Sequence, residues 1–197
     1  MKSLSTLYAT LATKNFPLRR LSIDVDYIAE VPSYSHRLNA ALQQLFCLHT
    51  LEILSLEAGS GWDLDDALVG DIARAWPNIT ALYTSSSPHP HPPHAVRRLT
   101  LAALRPLAFH CPNLRRLALD MDARFPPSTD PTAEAQSPQT TLAVLSVGYS
   151  PIRRSTLVAD FIFNIFPALM NVYGQTIEED EDVTKLSLTC HKRWSRW

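Results

Sequence analysis

Six times along the 197 residues, three positions recur in one spacing, the first, fourth and sixth of a unit. They are Leu18-Leu21-Ile23, Leu51-Leu54-Leu56, Ile79-Leu82-Thr84, Leu114-Leu117-Leu119, Leu142-Leu145-Val147 and Leu169-Val172-Gly174. By residue number, successive copies start 33, 28, 35, 28 and 27 residues apart. In the fourth copy Leu117 and Leu119 alternate with Arg116, Ala118 and Asp120, as a half-buried strand does. Upstream of it Leu101, Leu104, Leu107, Ala108 and Cys111 fall at helical intervals, and Pro112 bars the helix from continuing. A helix, a tight turn and a short strand bury little alone. Such a unit needs copies of itself stacked alongside.

The junction before the strand recurs as well: Phe16-Pro17-Leu18, Trp76-Pro77-Asn78-Ile79, Cys111-Pro112-Asn113-Leu114 and Phe166-Pro167-Ala168-Leu169. The first sits one residue out of register, and Leu48-His49-Thr50-Leu51 lacks the proline. One such leucine spacing is nearly worthless, because helices produce it too, but six copies with shared junctions are not. The expected fold is α/β: an irregular leucine-rich-repeat solenoid with parallel strands on the concave side and helices on the convex side. At least four strands should start near Leu18, Leu51, Ile79, Leu114, Leu142 and Leu169. Residues 1–177 are expected to form this single solenoid, with insertion loops at 85–95 and 123–140, and 178–197 an acidic-then-basic tail.

Leu107-Ala108-Phe109-His110-Cys111-Pro112-Asn113-Leu114 with Leu117 and Leu119 resembles the cysteine-containing leucine-rich repeat. That repeat is best known from F-box/leucine-rich-repeat proteins, the substrate-recognition subunits of Skp1–cullin ubiquitin ligases. The degenerate units and F-P-x-L junctions look most like the divergent fungal set. The resemblance implies a protein-binding scaffold, part of a ubiquitin-ligase adaptor. It departs at the front, where the residues before Phe16 are too few for the three-helix F-box, so binding to a Skp1-type subunit is not implied. The alternative is a truncated or mis-bounded partial solenoid without a recognition function of its own.

Composition narrows the classes. With 46% hydrophobic and 19% charged residues, the chain can build one continuous core. A formal net charge of −1 gives no electrostatic case for nucleic acid or an anionic membrane. Three scattered cysteines argue against a disulfide framework and for a reducing compartment, cytoplasmic or nuclear. No apolar run is long enough to span a bilayer, and the N-terminus is a poor signal peptide.

Met1–Lys14 places Leu4, Leu7, Tyr8 and Leu11 on one helical face and is expected to cap or begin the stack. Leu38, Ala41, Leu42, Leu45 and Phe46 predict a further helix. Asp63 is placed to cap the next, whose apolar positions are Leu64, Leu68, Ile72, Ala75 and Trp76. Ser85–His94 holds four prolines and three histidines and no apolar side chain, which predicts a mobile polyproline-like loop. Arg124–Gln139 carries four prolines where a repeat helix should stand, so the unit between Leu114 and Leu142 is expected to lack its helix. Ser155–Phe166 is apolar nearly all round, hence either well buried or near the end of the stack. Val183, Leu186 and Leu188 fit a last strand, while the basic, Trp-containing end fits no repeat.

Candidate chemistry is thin. Cys47/His49, His110/Cys111 and Cys190/His191 lie close in sequence, but no C-x-x-C or H-x-x-x-H pair is present for zinc. Cys47 and Cys111 fall at helix ends, where a small buried apolar side chain suits the turn. His89, His91 and His94 offer imidazoles to copper or nickel, but ordering a proline-rich loop around a metal costs backbone entropy, which favours a solvated loop. No phosphate-binding glycine motif and no nucleophile with its base appears, so neither enzyme, metal nor cofactor is expected. The ninth position of each unit holds Asp26, Gly59, Ser87, Asp122, Ser150 and Ile177. Asp26, Asp122 and Ser150 can bond the adjoining turn there.

In a parallel stack the third, fifth and seventh positions of each unit face outward. The seventh row reads Asp24, Glu57, Ser85, Asp120, Gly148 and Gln175. The other rows add Arg20, Tyr83, Arg116 and Tyr173, and Tyr and Arg often anchor interfaces. Arg20, Asp24, Glu57, Tyr83, Arg116, Asp120 and Tyr173 form the candidate partner-binding set, for a protein segment that carries basic residues. The rival is an ordinary solvated face on which Arg20 and Arg116 neutralise Asp24 and Asp120 locally.

Overall fold

The computed structural model describes residues 10–11, 17–25, 39–40, 42–58, 64–86, 98–127, 138–148 and 150–174, and all that follows concerns these. Expectations for the rest of Met1–Lys14, the histidine-rich loop, Asp26, Gly59, Asp63, Ser87, Gln175, Ile177 and the acidic-then-basic tail lie outside them.

Six strands form one sheet in sequence order: β1 Arg20–Val25, β2 Ile53–Ala58, β3 Ala81–Ser86, β4 Arg116–Ala118, β5 Val144–Ser146 and β6 Asn171–Tyr173. Every neighbouring pair is parallel. Register follows the sequence repeat: Leu21, Leu54, Leu82, Leu117, Leu145 and Val172 lie opposite one another along one row. These fourth positions point inward. Leu54, Leu82, Leu117 and Leu145 are buried, and Leu21 and Val172, on the two outer strands, are half-buried. Each strand start is locked to the one before by a carbonyl that accepts two successive amides. Arg19 O takes Glu52 and Ile53, Glu52 O takes Thr80 and Ala81, and Thr80 O takes Arg115 and Arg116. Arg115 O takes Ala143 and Val144, and Ala143 O takes Met170 and Asn171.

Three α-helices are described: α1 Asp66–Ala75, α2 Leu104–His110 and α3 Ser155–Ile165. The stretch before Leu48 is helical at 39–40 and 42–43 and ends in a 3-10 turn, Gln44–Cys47. A second 3-10 turn, Leu101–Ala103, leads into α2, with Thr100 Oγ1 accepting from Ala102 N. Asp65, rather than the expected Asp63, caps α1: its carboxylate accepts from Leu68 N at 2.8 Å. The cap must lie two or three residues before the amide it bonds, and Asp65 stands at that distance. Leu68, Val69, Ile72, Leu104, Leu107, Val158, Phe161 and Ile162 share one core with the inward strand leucines. The helices therefore cover one face of the sheet.

The junctions are equally regular. Leu48, Trp76, Cys111 and Phe166 end the helical turns, fully buried, and each carbonyl accepts the amide three residues on, from Leu51, Ile79, Leu114 and Leu169. Proline at the next position removes only a donor that the turn has no use for. Leu48 occupies the site held by Cys111. Cys47, read from sequence as a buried helix-end cysteine, is one residue early and exposed.

No described residue between β4 and β5 is helical. Helix α3 buries Val158, Phe161 and Ile162 and exposes Leu157 and Phe163. It flanks the outermost strand, so only one of its sides is covered.

Candidate binding face

On the side away from the helices, the register sets out rows of side chains. The first row runs Arg20, Ile53, Ala81, Arg116, Val144 and Asn171. The middle row runs Ser22, Ser55, Tyr83, Ala118, Ser146 and Tyr173. The third begins with Asp24 and Glu57, and Asp120 and Gly148 hold the same count beyond β4 and β5. Arg20, Asp24, Glu57, Arg116 and Tyr173 are exposed, and Tyr83 and Asp120 are half-buried. All seven sequence-nominated residues thus stand on this sheet or immediately beyond its strands. A bond of 3.4 Å from Ser55 Oγ to Glu57 Oε1 joins the middle and third rows.

Neighbouring strands are about 4.8 Å apart, so Asp24 and Glu57 stand side by side, with Asp120 about 10 Å further along. Along a strand, the first and third rows are four residues apart, about 13 Å. Across that gap Arg20 and Asp24 form no ion pair among the described residues. The ion pairs among the described residues are Arg19–Glu52, Arg74–Asp71, Arg98–Asp65 and Arg124–Asp122, and they leave out Arg20, Asp24, Glu57 and Arg116. The face is instead divided by charge. Arg19, Arg20, Arg115 and Arg116 mark the strand starts, and Asp24, Glu57 and Asp120 the strand ends.

Two features of the face were not read from sequence. Gly148 has a left-handed φ of +49°, and a Cβ there would lie 1.6 Å from Asp120 Oδ1. Asp120 is therefore packed against the glycine, unlike Asp24 and Glu57. The arginine row was half visible. Only its third positions were counted, and Arg19 and Arg115 occupy the second.

At the ninth positions, Ser150 Oγ accepts from Met121 N at 2.8 Å and donates to Val147 O, tying one unit to the one before. Asp122 accepts from Arg124 N and the Arg124 guanidinium, closing its own turn. The sequence signal for both was a small oxygen-bearing residue at a fixed count.

Nucleophile and metal sites fare differently. Cys111 Sγ lies 3.6 Å from Ala73 O and 3.9 Å from Trp76 O, against the end of α1. Burial pushes its thiol up to about 12 from a usual 9.0. A protonated, buried thiol is a poor nucleophile. Among the described residues no three His, Cys, Asp or Glu side chains converge on a metal position, and no helix is long and apolar enough to cross a membrane.

No family model and no curated protein matches the chain. Among solved structures, the chain is similar to the tropomodulin C-terminal domain of Caenorhabditis elegans, at 10% identity and a TM-score of 0.43, over 97% of this chain and 93% of that one.

Proposed function

We propose that the stacked units are a leucine-rich-repeat solenoid, and that it acts as a non-catalytic protein-binding scaffold of the kind found in F-box ubiquitin-ligase adaptors. The observation that carries this reading is the unequal covering of the sheet. Helices and turns bury Leu54, Leu82, Leu117 and Leu145 on one face, while the other presents Arg20, Asp24, Glu57, Tyr83, Arg116 and Tyr173 from β1 to β6. Two tyrosines and two arginines on a rigid, hydrogen-bonded platform suit protein recognition. The expected working compartment is cytoplasmic or nuclear.

Site-specific cross-linking tests the reading. A photoreactive residue at Ser146, in the middle row, should capture a discrete protein from cell extract. The same residue at Ala67, exposed on α1, should not. Capture from Ala67 and none from Ser146 would move recognition to the helix side.

A further inference from the structure

We infer that the sheet face receives one α-helix of a protein partner, laid across the strands, acidic on the flank over Arg20 and Arg116 and basic on the flank over Asp24, Glu57 and Asp120. This rests on the reading of that face as a recognition surface.

The dimensions select a helix. The charged rows are about 13 Å apart, and an α-helix with its side chains is about 10–12 Å across. Six strands span about 24 Å, the length of about 16 helical residues. The floor between the rows is low: Ser22, Ser55, Ala118 and Ser146 are small, and only Tyr83 and Tyr173 rise from it. Step length also discriminates. Asp24 and Glu57 are register partners about 4.8 Å apart, close to the 5.4 Å turn of a helix, so basic residues at i and i+4 meet both. An extended chain crossing the strands would present a side chain to the sheet every 6.6–6.8 Å or so and fall out of step by the third strand. An extended chain running along a strand would reach one arginine and one carboxylate only. The arginines and carboxylates named, Asp120 aside, make no ion pair of their own among the described residues, so they remain available to a partner.

The test uses the full chain and a dye-labelled synthetic 18-residue peptide. It carries lysine along one flank, glutamate along the other, and leucine and alanine beneath. Fluorescence anisotropy should show binding that weakens with added salt, and circular dichroism should show the peptide gaining helix. Asp24→Lys with Glu57→Lys should weaken binding at least tenfold. A peptide with glutamate on both flanks should restore binding to that variant and bind the native chain poorly. Failure of this charge exchange, or no binding by any peptide, overturns the inference. A version with two central prolines cannot form the helix. If it binds equally well at the same residues, the helix is wrong while the face remains the recognition surface. Cross-links mapping to α1 would instead remove the face itself.

Discussion

The side-chain amide of Gln139 donates to the carbonyl of Leu114 at 2.8 Å, bridging the turns that precede β4 and β5. In the units of β2, β3, β4 and β6 the main-chain carbonyl of Leu48, Trp76, Cys111 or Phe166 receives the amide of Leu51, Ile79, Leu114 or Leu169, three residues on. In the unit of β5, Leu142 N bonds instead to Gln139 Oε1 at 2.8 Å, and Thr141 N to the same oxygen at 3.1 Å. Gln139 stands at the position of Trp76 and Cys111. It replaces the missing helix end with its own side chain and also donates its backbone amide to Ile165 O, at the end of α3.

Gln139→Ala should destabilise the fold by about 1–3 kcal/mol, because it orphans the buried Leu142 amide and leaves the Leu114 carbonyl with the Thr141 hydroxyl as its donor. Gln139→Glu gives a pH signature. An ionised carboxylate would face the Leu114 and Cys111 carbonyls, so its folded pKa is raised above the unfolded value near 4.3. The variant should be most stable at or below about pH 4 and lose stability as pH rises from the unfolded pKa up through the folded one. Denaturant midpoints from pH 4 to 7 that track the native chain would remove Gln139 from this role.

Gly148 is required for two reasons, its positive φ and the Asp120 carboxylate above it. Gly148→Ala should cost about 1–3 kcal/mol from the backbone alone, and more from the displaced carboxylate. Adding Asp120→Ala should recover the second part and not the first. Additive losses in a double-mutant cycle would show that the two residues do not interact.

Much of this was legible because period and burial coincide. The spacing of Leu114, Leu117 and Leu119 predicted which strand atoms face the core, and the six copies placed every register pair before any contact was known. Polar substitutes were not legible. Nothing in the string Gln139-Thr140-Thr141-Leu142 marks a glutamine as a stand-in for a helix end, because the carbonyls it donates to, of Leu114 and Cys111, lie 25 and 28 residues away. Cys47 misled for a related reason. Residue type matched Cys111, but the turn before β2 places the buried position one residue later, at Leu48. On the outer face the charges were read one row at a time, which hid their segregation.

The Cys111 thiol links stability to alkaline pH. Its folded pKa of about 12 lies above the unfolded 9.0, so the folded chain holds the proton longer. Below pH 9 both states keep it and the contribution is complete. Between pH 9 and 12 the unfolded chain alone ionises, and stability falls by about 1.4 kcal/mol per pH unit. Cys111→Ala should start less stable because of its cavity, but should lose less per unit of alkaline pH than the native chain. Parallel slopes in urea titrations at pH 8, 9 and 10 would refute the linkage.

Leu21 and Leu117 occupy the same register row and read identically in sequence, yet their surroundings differ. Leu117 is flanked by Leu82 and Leu145, and is 1% exposed. Leu21, on the outermost strand, has Leu54 on one side and is only half-buried. Truncating Leu117 leaves a hole that neighbours on both sides hold open, whereas the space at Leu21 opens to solvent and can fill. Leu117→Ala should therefore cost about 2–5 kcal/mol, and Leu21→Ala less than half of the value measured for Leu117. Arg115→Ala, an exposed control, should fall within about 0.5 kcal/mol of the native chain. If Leu21→Ala proves as costly as Leu117→Ala in denaturant unfolding, the outer strand is buried as deeply as the centre of the stack, and β1 is not the edge of the sheet.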